Sequence, residues 1–78
     1  MSRYEKKLKD GTLFCWGCDH AIGPYWFDVL GTDKQGNDTQ IDTGASMFGM
    51  THETFISKLK EYGAPGSHIK AAKNQQLF

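Results

Sequence analysis

The sequence predicts a small α+β fold: an antiparallel sheet of two to four strands, built on a central hairpin at about residues 25–43, packed against one amphipathic helix at about residues 52–62. Three observations predict it. The run Tyr25-Trp26-Phe27-Asp28-Val29-Leu30 is aromatic and β-branched, and it is bounded by Gly23-Pro24 and Gly31. A polar turn from Asp33 to Asn37, around Gly36, leads into a second extended stretch, Asp38 to Thr43. Phe55, Ile56, Leu59 and Tyr62 then recur at the spacing of one helical face.

Taken in order, residues 1–10 are polar and lysine-rich and read as a frayed end or an exposed helical turn, closed by the turn signal Asp10-Gly11. Thr12 to Cys18 reads as a strand running into a tight turn at Trp16-Gly17. In the central strand Tyr25, Phe27 and Val29 share a face, because side chains alternate along a strand. The return strand has Ile41 as its apolar residue, so it belongs at a sheet edge or covers little core. Gly44 to Met50 reads as a loop. Thr51 is a suitable helix N-cap, and Glu53 lies in the first turn, where the helix dipole favours an acid. Gly63 is the expected residue just past the helix, and Pro65 bars continuation. The tail 67–78 fits either a short helix or a last strand.

Length and composition set the limits. The chain of 78 residues has room for one domain, residues 1–78, with one core and no large cleft between domains. Ten aromatic residues give that core a large area per residue. No apolar run follows Met1, and two cysteines without a secretory leader point to the reducing cytoplasm. No membrane-spanning stretch is expected.

The net charge is zero but segregated. Residues 1–9 carry a net +3 and residues 58–78 another +3, while residues 10–57 carry −6, with Lys34 the only cation among them. The balance disfavours strong duplex-DNA binding, which needs a basic domain. An acidic hairpin instead suits a basic partner. The sheet's second face, if uncovered, would expose Trp16 or Trp26 as a contact surface. The candidate partner-binding residues are therefore Trp16, Trp26, Asp28, Asp33 and Asp38.

Cys15-Trp16-Gly17-Cys18 is the most distinctive chemical motif. Two thiolates on a knuckle supply half of a tetrahedral zinc site. The run from Asp10 to Cys18 resembles the second knuckle of the zinc ribbons of phage and bacterial primases, over about a tenth of the chain. That resemblance implies a structural zinc, yet the partner knuckle is missing, so a histidine would complete the set. The candidate ligands are Cys15, Cys18 and His20, with His52 or His68 as a further one. The cofactor expectation is one structural zinc or none. The Cys-x-x-Cys spacing also fits a redox pair, but the polar residues before it and Gly23-Pro24 after it do not fit the glutaredoxin arrangement.

Asp42-Thr43-Gly44-Ala45 resembles the signature of retroviral-type aspartic proteases, which implies one carboxylate of a dyad completed by dimerisation. Only 36 residues follow Asp42, too few for the rest of that fold, so the residues read as a strand end and turn whose side chains bond local amides. The Asp33–Asp38 turn lacks the ligand spacing of a calcium loop. His52 and His68 are expected to be exposed.

The function expected from these readings is non-enzymatic: a small inhibitory or binding protein acting by protein–protein contact on a larger macromolecular machine. Small proteins of this style are typical of phage and mobile elements, where they block host enzymes or defence complexes. The alternative is a zinc-knuckle module whose Trp16 and Trp26 stack on single-stranded nucleic acid. A thiol redox protein is a minor third reading.

Overall fold

Aromatic and β-branched residues at alternate positions build the centre of the fold. In the computed structural model, which describes residues 2–19, 21 and 23–78, they form four antiparallel strands in sequential order. The strands are β1 (Tyr4–Lys7), β2 (Leu13–Cys18), β3 (Tyr25–Thr32) and β4 (Asp38–Ala45). A short 3-10 turn, Ser46–Phe48, follows β4. Two helices complete the chain, α1 (His52–Glu61) and α2 (Gly66–Lys73).

The register explains which side chains meet the helices. One row across the sheet is Tyr4, Trp16, Phe27 and Gly44, and the next is Lys6, Phe14, Val29 and Asp42. These rows, with Cys18 and Tyr25, face α1 and α2. The main core joins Phe14, Trp16, Phe27 and Val29 to Phe55 and Leu59 of α1 and Ala72 of α2. Phe55 and Leu59 are fully buried; burial of each such side chain contributes about 1.5–3 kcal/mol.

The opposite face carries no helix. There Cys15, Trp26 and Ala45 form a second, smaller buried cluster, flanked by Leu13 and Leu30.

The helix termini follow the sequence signals. The Thr51 hydroxyl accepts the Thr54 N–H at 3.1 Å, a direct N-cap. Past Tyr62 the chain turns through Gly63 in the left-handed region, φ 79°, and Pro65 leads into α2. The expected hairpin, its exposed edge strand and α1 are all present.

Three expectations are corrected. Residues 4–7 form a strand rather than a frayed end or helical turn. Tyr4 is the one residue of the four that fills the core, and the Lys6 ammonium reaches the Gly63 carbonyl at 2.9 Å, so a polar segment still has a reason to pair. No turn interrupts Trp16-Gly17, because Gly17 pairs with Trp26 inside β2. The absent Cβ of Gly17 lets the Ser2 backbone cross over it, and the Ser2 N–H bonds the Cys18 carbonyl at 2.8 Å. The Gly44-Ala45 end of the expected loop belongs to β4. The tail, which the sequence leaves open between a short helix and a last strand, forms α2. Its last residues fold back: the Tyr25 hydroxyl donates to the Gln76 carbonyl at 3.0 Å and the Phe78 N–H to Cys18 Sγ at 3.4 Å.

Candidate functional site

The strand geometry of β2 decides what the cysteine pair can do. Residues three apart in a strand point to opposite faces. Cys18 lies in the helix-side core, and Cys15 lies in the small cluster on the other face. Both thiols are free and buried. They do not converge on one ion, so this pair does not form the expected knuckle. The third candidate ligand, His20, lies outside the described residues. Among the described residues no group of three or more His, Cys, Asp or Glu side chains is arranged to hold a metal. Burial raises the Cys15 thiol pKa, with the nearby Arg3 pulling the other way; the Arg3 guanidinium approaches Cys15 Sγ at 3.5 Å. A buried thiol with a raised pKa is a poor nucleophile.

The two tryptophans are not platforms. Trp16 is 3% exposed, stacked on Phe14 at 4.8 Å, and its indole N–H donates to His68 Nδ1 at 2.9 Å. Trp26 is 9% exposed and covered by Arg3, whose guanidinium carbon stands 5.7 Å from the ring centre. Expecting these rings at the surface overlooked the cover that α2 supplies on one face and the N-terminal segment on the other.

The histidines are also packed. His68, on α2, sits among Tyr4, Trp16 and Phe78, and burial lowers its pKa. His52 starts α1 beside Tyr25, half-buried, and its Nε2 has no hydrogen-bond partner among the described residues.

The acidic candidates divide. Asp28 lies on the helix-free face, where its carboxylate accepts from Thr43 Oγ1 and from Gln40 Nε2. Asp33 shapes the hairpin turn, accepting the Gln35 and Asn37 N–H groups at 2.9 Å each. Asp38 is exposed at the start of β4. Asp42 bonds the Thr43 amide at 2.9 Å, as expected of local backbone bonding, and pairs with Lys58 at 2.8 Å. That ammonium holds the Asp42 carboxyl below the usual range, and Asp42 in turn raises Lys58. Asp42 is the anion of an ion pair, which is not the environment of a proton-sharing dyad.

Among the described residues four large apolar side chains are exposed, Ile41, Met47, Phe48 and Leu77, and two of them are neighbours. Phe48 is 82% exposed and Met47 59%, adjacent on the 3-10 turn after β4. They stand beside an open groove of about 600 Å³ between the second half of β4, this turn and α1. Phe27, Gly44, Phe48 and Met50 give it apolar walls, and Asp42 with Lys58 closes one end. Gly44 is the reason its floor is tight. A Cβ there would stand 2.6 Å from Phe27 Cε1 and 2.9 Å from Met50 Sδ. Sequence reasoning treated 44–50 as a plain loop. Met47-Phe48 in a Gly- and Met-containing stretch is the signal the sequence offers.

No family model, no curated protein and no solved structure matches this chain.

Proposed function

We propose that this chain is a non-enzymatic binding protein that acts by protein–protein contact, seating Met47, Phe48 and the adjoining groove on a larger macromolecular partner. The observation that carries the reading is the exposure of Phe48 and Met47 together beside that groove. An aromatic and a methionine side chain left in water on a turn are the residue types that anchor interfaces. Their turn is pinned at both ends. The Gly49 N–H bonds the Ser46 carbonyl at 3.2 Å, and the Met50 N–H bonds the Ala45 carbonyl at 3.2 Å. A pinned turn loses little entropy on docking. The acidic β3–β4 side adds long-range attraction for a basic partner.

Trp16 and Trp26, which stacking on single-stranded nucleic acid would need at the surface, are buried.

The test is site-specific photocrosslinking in lysate of the producing cells. A photoreactive phenylalanine replaces Phe48 in one sample and Lys73, on the far helix, in another. A discrete protein adduct from position 48 that is absent from position 73 is expected. Equal labelling at both positions, or none at position 48, refutes the reading.

A further inference from the structure

Two helices cover a four-stranded sheet unequally. α2 lies toward β1 and β2, with His68 against Tyr4 and Trp16. α1 packs on β3, and the helix side of β4 keeps an open groove.

The charge of its lining decides what this groove accepts. The lining holds one carboxylate and one ammonium, Asp42 and Lys58, and they are paired with each other at 2.8 Å. The other lining residues are uncharged, with Phe27, Phe48 and Met50 the largest. The groove therefore takes an apolar group and makes no demand for a charge beside it.

Apolar groups of that kind stand on its own rim. Phe48 and Met47 are exposed on the turn that follows β4. Ile41, 57% exposed, lies on the same side of β4. A Cβ on Gly31, which shares the helix-facing side of β3 with Phe27 and Val29, would stand 2.7 Å from Ile41 Cδ1. Among the described residues, three of the four exposed large apolar side chains thus belong to β4 or the turn after it.

A protruding ring beside a cavity that can receive one is a self-complementary pattern. A two-fold axis between them sets each copy's ring in the other's groove and makes both contacts at once. Charge does not oppose the pairing. The chain has a net formal charge of zero, so two copies lack the long-range repulsion that keeps charged proteins apart.

We propose that the groove is filled by a second copy of this chain, in a symmetric dimer where each Phe48 enters the groove of the other. This surface is the one assigned above to a larger partner, and such a partner takes the place of the second copy. Area sets the strength of the pair. A ring of about 150–250 Å² that is 82% exposed brings on the order of 120–200 Å². Two such rings supply about 240–400 Å² of the roughly 1,000 Å² that a specific interface needs. Met47, Ile41 and the groove walls supply the remainder. An interface at that threshold holds a reversible pair, with Kd on the order of 10 μM to 1 mM.

The experiment follows sedimentation and amide spectra of the purified full chain from about 20 μM to about 2 mM. The mean mass is expected to rise from 8.8 kDa toward twice that value, and the Gly44, Gly49, Met50 and Thr54 amides to shift with it. Added salt leaves the pair intact, because apolar contact holds it. Phe48→Ser removes the ring, and Thr54→Trp, at an exposed position on the groove wall, fills the groove. Each change abolishes the association while the spectrum stays folded. Mixing labelled Phe48→Ser chain with unlabelled Thr54→Trp chain brings the groove shifts back, more weakly, because one of the two contacts is restored. Four results overturn the inference: a monomer throughout the range; association that survives both substitutions; dissociation by salt, which gives the contact to the segregated charges; or no recovery on mixing. A monomer that still forms a position-48 adduct with a different protein removes the dimer and leaves the binding role standing. A dimer without such an adduct does the reverse.

Discussion

Replacing His68 by alanine removes one side chain with three dependants, so its cost can be built from the structure. The indole N–H of Trp16 can only donate, so His68 Nδ1 is an acceptor and the imidazole is neutral, with its proton on Nε2. Without that acceptor a buried donor is left unpaired, at about 1–3 kcal/mol. The Phe78 ring, 4.6 Å away and nearly parallel, and the Tyr4 ring at 4.4 Å also lose their neighbour. Such ring pairs contribute roughly 0.5–1.5 kcal/mol each. Alanine returns a few tenths of a kcal/mol through helix propensity. The net loss is about 1.5–5.5 kcal/mol, a large share of the roughly 4–12 kcal/mol available to a chain of this length. Urea unfolding at pH 7.5 measures it, and calorimetry should show Tm lower by roughly 4–8 °C for each kcal/mol lost.

The pH arm has a definite sign. Burial lowers the His68 pKa below its ordinary 6.5. The unfolded chain takes up a proton near pH 6.5 that the folded chain refuses. The contribution is therefore complete above pH 6.5 and is lost as pH falls through the folded value. His68→Ala should remove that part of the pH slope, and the difference between the two proteins isolates His68 from His20 and His52. A loss under about 0.5 kcal/mol, or an unchanged slope below pH 6.5, would refute the reasoning.

Other outcomes follow from the same contacts. Asp42→Asn should cost only about 0.5–1 kcal/mol, since the Lys58 pair is partly exposed, and chemical denaturation should show that cost vanishing as pH falls below the ordinary carboxyl value of 3.8. Gly44→Val should destabilise by about 1–3 kcal/mol through the clash with Phe27 and Met50, read as a shifted urea midpoint. Both thiols should resist a thiol reagent until the fold opens, and mild oxidant should give no Cys15–Cys18 disulfide in the native protein; rapid labelling would contradict their burial. Native mass spectrometry should find the Cys15–Cys18 pair without zinc, and a chelator should leave Tm unchanged.

The parts of the fold legible in the sequence were those with a strong local pattern. Tyr25, Phe27 and Val29 alternate, so the face they share is the core face. Thr51, Gly63 and Pro65 punctuate α1 where local chemistry requires it. β1 was illegible because its reasons are distant: Tyr4 pairs with Trp16 and Lys6 reaches Gly63, and neither shows as a period within four residues. The tail was ambiguous for the same reason. Ile69, Ala72 and Phe78 are too sparse to select helix over strand before the core that receives them is known. The site failed differently. Cys15-x-x-Cys18 has a spacing that serves a knuckle or a continuous strand, and only the pairing of Gly17 with Trp26 selects the strand.

That selection also accounts for where the proposed contact surface lies. With β2 extended through Cys18, Trp16 must enter the helix-side core and Trp26 the opposite one, so the most apolar residues are consumed in holding the sheet. Side-chain bulk then falls along the row from Trp16 through Phe27 to Gly44, toward the acidic edge. A third helix over β4 would have filled the shortfall. The chain instead turns at Ser46–Phe48, and leaves Met47 and Phe48 in water beside the gap. An exposed ring next to an unfilled groove costs stability, and a 78-residue chain has little to spare. A partner that covers the ring and enters the groove would recover that cost, which is why Met47 and Phe48, rather than either tryptophan, are the residues on which binding should depend.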